Sequence, residues 1–478
     1  MTRTIKTSLT AFFALLLLLA ATVGGSPAGA SGDNRPDPDS GTSVGNPFAS
    51  QVNDVEGVPD DAEVVPGEIV VTRAGEDEPQ TVEIDPTANP ELVAERLEDR
   101  PGIETASPNY IARISGWMPN DPGVNPKRRG RAGAWVRKQW NFLPCLSFCH
   151  PNTASTGPRS RGGMNVIRAW QHLRRAGRPG AAGVKVAVLD TGIAYRKRGR
   201  RFSRNPDLAR KRFLPGYDFV EKDRIPLDEN GHGTHVASTI AQTTNNRKGL
   251  TGIAFKAKLM PVRVMDANGR GTTANIASGI RWAANHGARV VSMSLNFDCG
   301  ISIPSIESAL KYAHRKGVIL VGSSGNRSAQ DCPSLPATAR QVISVGGTTE
   351  SGCVATYSFK SEDIDITAPG GGTGQAGCPY SSRNRPILQV GMIGGDPDWF
   401  GIEPGWAGTS MAAAHVAGAA AAVLASKALT GKKGPSQVRQ RLQGTARLPS
   451  FAAAESPSGF GAGIVDLGRA TNPSVRLP

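Results

Sequence analysis

From residue 183 onward the chain repeats one pattern, and that pattern leaves few folds open. Near-continuous apolar runs at 184–189, 259–264, 288–295, 318–322 and 342–345 read as strands. Helical stretches at 235–242, 274–286 and 306–316 lie among them, and an Ala-rich run extends to about Ser426. A strand buried on both faces is apolar at every position, whereas a half-exposed strand alternates. Strands of the first kind, separated by helices, predict an α/β protein: a doubly wound, mostly parallel sheet with helices on both faces. In such sheets functional groups collect at the carboxyl ends of the strands.

The 478 residues allow one large domain and a smaller one. Arg3 and Lys6, an apolar run at about 9–23 and Ala28-Gly29-Ala30 read as a signal peptide over 1–30. A membrane anchor is the rival reading, but the run is short for a span, and no later segment is apolar enough. A secreted, extracellular protein without a membrane anchor is expected. Six cysteines suit an oxidising compartment. Proximity suggests Cys145 with Cys149, Cys299 with Cys332, and Cys353 with Cys378. No cysteine pair has zinc-ligand spacing to a histidine.

The net charge of +15 hides a division: residues 1–30 contribute +2 and residues 31–115 contribute −14, which leaves +27 for the remainder. An acidic arm ahead of a basic body suggests two modules that attract each other. A nucleic-acid partner is not expected, because the charges are scattered and aromatics make up only 6% of the chain. Residues 31–57 read as a flexible acidic leader. Residues 58–117 read as a small α+β unit: a strand at 67–72, a helix at 89–97 with Pro90 at its first position, and a strand at 110–114. Such a unit is too small for a generous core of its own. Residues 118–165 read as a junction with a basic insertion, a solvated face around Lys127-Arg128-Arg129. The large domain covers 166–478.

Three segments of that domain put reactive side chains where the rule for parallel sheets wants them. Asp190 ends the first strand. His232 stands in Asn230-Gly231-His232-Gly233-Thr234-His235, just before a helix. Ser410, in Gly408-Thr409-Ser410-Met411-Ala412, sits in the first turn of the Ala-rich helix. A helix N-terminus offers free N–H groups to an oxyanion forming there. Aspartate, histidine and serine together make an activated nucleophile: histidine takes the serine proton, and aspartate orients the imidazole and stabilises its cation. Asn326, in Ser323-Ser324-Gly325-Asn326, follows a strand and could donate to the oxyanion. Each has a bland alternative: a turn aspartate, a helix-start histidine, an N-capping serine, a turn asparagine. His235 competes with His232 but reads better as structural. The joint occurrence in the order Asp, His, Ser decides for chemistry.

At these residues the chain resembles the subtilisin-like serine proteases, over about 165–470. Val188-Leu189-Asp190-Thr191-Gly192-Ile193, His232-Gly233-Thr234-His235-Val236-Ala237 and Gly408-Thr409-Ser410-Met411-Ala412 match the family's three signatures. The resemblance implies a serine endopeptidase with Asp190, His232 and Ser410 as its triad and Asn326 as oxyanion donor. It implies that Ser294, Leu295 and Asn296 pair with substrate and wall the first specificity pocket, with Gly269 and Gly271 on an opposing strand. It implies peptide or protein substrates, a monomeric enzyme, and a propeptide over 58–117 that assists folding, inhibits, and is removed by self-cleavage between about 114 and 124. No cofactor is expected for the chemistry. A structural calcium is implied at the loops carrying Asp207 and Asn246, with Asp121 or Gln139, although Arg247 and Lys248 disfavour a cation. Ala414 stands where the family usually has proline, and Asn296 where it often has glycine. An insertion at 391–405 is expected to narrow or redirect the substrate groove. The rival reading is a non-catalytic exported binding protein on the same scaffold.

Overall fold

The computed structural model describes residues 64–76, 78–110, 117–145, 159–298, 300–326, 332–359, 361–380, 384–431, 433–453 and 459–477. The expected signal peptide, the leader and residues 114–116 of the expected cleavage segment lie outside the described residues. The chain divides into two compact units after Arg113.

In the first unit, β1 (Val64–Arg73), β2 (Gln80–Glu83), α1 (Pro90–Glu98) and β3 (Ile103–Tyr110) follow in order. The strands pair antiparallel as β2-β1-β3. Asn89 caps α1 by accepting from the N–H groups of Glu91 at 2.9 Å and Leu92 at 3.2 Å, and Pro90 occupies the first helical position, where no N–H is needed. Ile69, Val71, Ala94 and Ala106 form its core, which is small as the length implied. A strand not foreseen runs from 103 to 110, with Ile103 and Ala106 supplying its inward face against β1; the expected strand at 110–114 lies, beyond Tyr110, outside the described residues.

The second unit holds a parallel sheet built from β4 (Lys185–Asp190), β5 (Tyr217–Asp218), β6 (Lys258–Arg263), β7 (Val290–Met293), β8 (Ile319–Ser323), β9 (Val342–Thr348) and β10 (Ile366–Pro369). Among the described residues their order is β10-β9-β8-β7-β4-β6-β5. Two core clusters lie on the two faces. Val186, Val188, Val290 and Val321 belong to one, and Ala187, Leu189, Val291 and Leu320 to the other. The period of two along each strand therefore feeds both clusters, which is why these runs are apolar throughout. The first cluster takes in α2 (Val166–Arg175) and α3 (His232–Ala241); α4 (Thr273–Asn285) and α5 (Pro304–Arg315) pack in the second.

The element that places the site is α6 (Thr409–Ala425), which joins the first cluster. Every residue of it except Ser410 is buried. Its small side chains let neighbouring groups approach closely: a Cβ on Gly418 would stand 3.0 Å from Ile253 Cβ. Chain order ends with α7 (Pro435–Gly444) and α8 (Leu467–Ala470). The insertion at 391–405 forms an antiparallel hairpin, β11 (Val390–Met392) with β12 (Phe400–Ile402). Cys353 and Cys378 are joined as expected. Cys145 and Cys332 are also disulfide-bonded, while Cys149 and Cys299 lie outside the described residues. Among the described residues no helix is long and apolar enough to cross a membrane.

Candidate active site

Asp190 closes β4 with its side chain fully buried. Its Oδ1 accepts from the Thr191 N–H at 2.8 Å and meets His232 Nδ1 at 2.7 Å. Its Oδ2 is buried and has no partner among the described residues. With Nδ1 donating to the carboxylate, the neutral imidazole presents Nε2 as the acceptor. Burial favours the neutral ring of His232. The Asp190 charge and hydrogen bond, with the charge of Asp228, outweigh it and raise the pKa above its ordinary 6.5.

His232 opens α3 instead of preceding it, and Gly231 is the capping residue. The helix starts there because Asp228, fully buried, gathers its first donors. Asp228 accepts from the N–H groups of Asn230 at 2.9 Å, Gly231 at 3.0 Å and Thr234 at 2.9 Å. It also accepts from the hydroxyls of Thr191 at 2.8 Å and Thr234 at 2.6 Å. One carboxylate thus ties the end of β4 to the start of α3 and holds Asp190 and His232 in register. Sequence reasoning passed over Asp228; an acid at a helix entry was the available signal. His235 is buried, meets the Ile387 carbonyl through Nε2 at 3.0 Å, and has its pKa lowered to about 3 by burial. It is a neutral structural residue. The Trp406 ring, also unforeseen, lies 5.6 Å from the His232 ring and 5.2 Å from that of His235.

Ser410 is the second residue of α6. Its hydroxyl donates to the Ser294 carbonyl at 3.4 Å, and Ser294 Oγ donates back to the Ser410 carbonyl at 2.9 Å. Among the described residues no hydrogen bond joins the Ser410 hydroxyl to His232. Catalytic contacts of this kind are often long in a free enzyme and tighten only around substrate. Asn326 Oδ1 accepts from the Thr409 N–H at 2.9 Å and from the Thr409 hydroxyl at 3.1 Å. A backbone N–H can only donate, so the amide oxygen faces Thr409 and the NH₂ faces away from it. Thr409 Oγ1 in turn accepts from the Gly325 N–H at 3.2 Å. The role of Thr409 was hidden inside a motif read for its serine.

Ser294 and Leu295 are buried and Asn296 is exposed. Gly269 and Gly271 do not lie on a strand. They flank a turn closed by the Asp266 N–H to the Arg270 carbonyl at 2.8 Å and by the Arg270 N–H to Asp266 Oδ1 at 2.9 Å. The Asp266 carboxylate makes the turn more favourable than an extended edge. The 391–405 hairpin is fixed along the flank of α3: the Val390 carbonyl accepts from Asn205 Nδ2 at 2.8 Å and from Ser238 Oγ at 3.0 Å.

The loops expected to hold calcium come together. Asp207 and Asp121 are both fully buried. Asp207 accepts from Asn246 Nδ2 at 2.6 Å and Gln242 Nε2 at 2.5 Å, and Asp121 from the N–H groups of Asn245 at 2.7 Å and Asn246 at 3.1 Å. Burial pushes Asp207 up to about 7, with the Asp121 charge adding to it, and burial pushes Asp121 up to about 6. Among the described residues neither carboxylate has an ion-pair partner, and Arg247 and Lys248 are exposed. Gln139 is engaged elsewhere, accepting from the Thr251 N–H at 2.9 Å.

A doubly wound parallel sheet that sets an aspartate-held histidine and a helix-start serine at its carboxyl edge defines a serine hydrolase. The chain belongs to the subtilase family, peptidase S8, which it matches over residues 181–463. It is a subtilisin-like serine endopeptidase. It is 31% identical to the thermophilic serine proteinase of Bacillus sp. (strain AK1) over 75% of this chain and 71% of that protein. It is 35% identical to thermitase of Thermoactinomyces vulgaris over 55% of this chain and 81% of that protein. A solved structure of a protease from Pseudoalteromonas arctica PAMC 21717 superposes with a TM-score of 0.56 at 28% identity, covering 74% of this chain and 99% of that one.

Proposed function

We propose that the chain is a secreted, self-processing zymogen whose mature form hydrolyses peptide bonds through Asp190, His232 and Ser410. The single observation that carries the reading is the buried Asp190 carboxylate bonded at 2.7 Å to His232 Nδ1, which leaves Nε2 free to take a proton. Ser410 Oγ attacks the peptide carbonyl carbon as His232 removes its proton. The carbonyl oxygen becomes an oxyanion, stabilised by the Ser410 N–H and Asn326 Nδ2. His232 then protonates the leaving amine as the C–N bond breaks. Water, deprotonated by His232, hydrolyses the acyl-enzyme and restores the serine. Peptidyl substrates lie along Ser294–Asn296, with Gly269 and Gly271 opposite. Labelling of the purified enzyme by a fluorophosphonate, abolished in Ser410→Ala, tests the assignment; an unlabelled enzyme would instead favour a binding protein on this scaffold.

Residues 1–30 are the signal peptide, 31–57 a leader, 58–117 the propeptide, 118–165 the junction and 166–478 the catalytic domain, acting as a monomer. The enzyme cuts itself between about 114 and 124. The division of the chain into two units after Arg113 supports this position. Subtilases catalyse without a cofactor, and calcium here has a structural role. Among the described residues the two buried carboxylates have no cationic partner, which supports a hard divalent cation that Asp121, Asp207 and the Asn246 amide would hold with nearby carbonyls.

A further inference from the structure

A cavity of ≈ 370 Å³ lies among α2, the chain after α6 and the loop after α8. Arg168, His172 and Arg175 line it from α2, Lys427 lines it from beyond the end of α6, and residues 471–474 complete it. Positions 168, 172 and 175 are spaced by four and three, so they share one face of the helix. Among the described residues no acid lines this cavity, and Arg168, Arg175 and Lys427 make no ion pair and no side-chain hydrogen bond. Asp466, the acid of an adjoining cavity, is already engaged. It caps α8 by accepting from the Arg469 N–H at 3.0 Å, beside the charges of Arg447 and Arg469.

This arrangement works against the stability of α2. The helix contains no acid, and like charges one turn apart repel. Arg168 stands in the first turn, where the helix dipole favours an anion. Burial lowers the pKa of His172, and the charges of Arg175 and Arg168 lower it further, so these groups are close enough to act on one another. The cavity is nonetheless firmly held. A Cβ on Gly468 would stand 2.9 Å from Arg168 Cβ, so the glycine lets α8 pack against the root of that side chain. His172 Nδ1 meets Thr471 Oγ1 at 3.1 Å, while the Thr471 hydroxyl donates to the Leu467 carbonyl at 2.7 Å. The loop is pinned by the buried Arg441, which donates to the carbonyls of Ala470 at 2.9 Å, Asn472 at 2.5 Å and Val475 at 2.6 Å. Among the described residues Arg441 has no carboxylate partner, so it adds a further cation beside the cavity.

From this geometry we infer that the cavity is a binding site for a multivalent phosphate: two or more phosphate groups, linked to one another or carried on a polymer. Arginine forks match phosphate oxygens in pairs, and lysine supplies a point charge. At about 30 Å³ for a water, the ≈ 370 Å³ cavity has room for more heavy atoms than one phosphate contains. Lys427 stands just past α6, whose other end carries Ser410 roughly 25 Å away along the 17-residue helix. Binding therefore ties α2, the end of α6 and the loop after α8 together at a distance from peptide cleavage. The inference does not depend on the reading of Ser410.

The test is titration calorimetry of the purified enzyme with sodium tripolyphosphate at about 0.1 M salt, where diffuse surface charge is largely screened. The native protein should bind, and saturating tripolyphosphate should raise its melting temperature by about 2–5 °C. Arg168→Gln, Arg175→Gln and Lys427→Gln combined should weaken binding at least about 10-fold and remove the thermal shift. These side chains are exposed and repel one another, so the ligand-free variant should melt no lower than the native protein. Lys127→Gln, Arg128→Gln and Arg129→Gln combined remove as much charge from another exposed segment and should change the affinity by less than about 2-fold. Equal losses in the two variants, no binding by the native protein, or an equally tight complex with an oligoglutamate of matched charge overturns the inference. A cavity variant that melts lower without ligand yet keeps the thermal shift overturns it as well, because the cluster is then structural. Poly(glycerol phosphate) as a second titrant identifies the source: binding that also needs the three cations places the phosphates on a polymer, and binding of tripolyphosphate alone places them in a free polyphosphate.

Discussion

Removing the Asn326 amide and then only its support should give graded losses in kcat. Asn326→Ala deletes one of two donors aimed at the oxyanion, and kcat should fall by about 10²–10³-fold, the cost measured for the single oxyanion donor of subtilisin. Thr409→Val keeps the donor but loosens it. The Thr409 N–H still bonds Asn326 Oδ1 at 2.9 Å, while the hydroxyl bond at 3.1 Å is lost. One of two orienting bonds remains, so the fall should be nearer 10-fold, about 1.4 kcal/mol of transition-state stabilisation. The same change leaves the buried Gly325 N–H without its acceptor, which should lower stability by about 1–3 kcal/mol. Steady-state kinetics on a peptide anilide, with thermal melts alongside, separates the effects. Both variants should lose kcat with KM little changed, because the interaction forms only in the transition state. Thr409→Ser, which keeps the hydroxyl, should recover most of the rate. Native kcat in Asn326→Ala, or equal losses in Thr409→Val and Thr409→Ser, would refute the argument.

Ser410→Ala should fold and lose about 10⁶-fold in turnover, as in subtilisin, and by mass spectrometry the secreted chain should keep residues 58–117; a mature N-terminus on this variant would assign the cut to another protease. The acid limb of kcat/KM should lie above pH 6.5, because the His232 pKa is raised and only the neutral ring accepts the serine proton. Asp190→Asn removes the raising charge, so that limb should move to lower pH while the rate falls by about 10⁴-fold, as in chymotrypsin-type triads; an unmoved limb would mean another group titrates. Calcium should stabilise the protein more near pH 8 than near pH 5. The folded pKa of Asp207, about 7, lies above its ordinary 3.8, so the folded state binds the extra proton between these values and stability falls as pH rises through them. The loss is on the order of 4 kcal/mol by pH 8, and a bound cation offsets it; equal melting temperatures in calcium and chelator at both pH values would remove the cation.

Much of the fold was legible because a parallel sheet covered on both faces leaves an unbroken apolar trace. β4, β6 and β8 lie where their runs predicted. The misses have local causes. β5 is two residues long and has no period to read. β9 continues through Gly346 and Gly347, which carry no apolar signal; a Cβ on Gly347 would stand 2.9 Å from the Tyr357 ring. β7 stops at Met293, short of the expected 295, because the next residues leave the sheet to bond Ser410 and Ser323. The 391–405 insertion pairs with itself, and its anchor on Asn205 and Ser238 involves residues 185 and 152 positions away.

At the site, sequence revealed the groups whose chemistry is intrinsic and missed those whose work depends on a partner. A serine, a histidine and an aspartate in three marked settings announce an acyl-transfer mechanism by residue type alone. Asp228 and Thr409 have no such signature. Asp228 matters because five donors from two elements converge on it, and Thr409 because its hydroxyl accepts from Gly325 while donating to Asn326. Asn296 illustrates the same division. As a letter it was only a departure from glycine; in the fold its amide donates at 2.7 Å to the carbonyl of Ser323, the last residue of β8. Reactivity in this enzyme is therefore written locally, while orientation is written in pairs that only the folded sheet brings together.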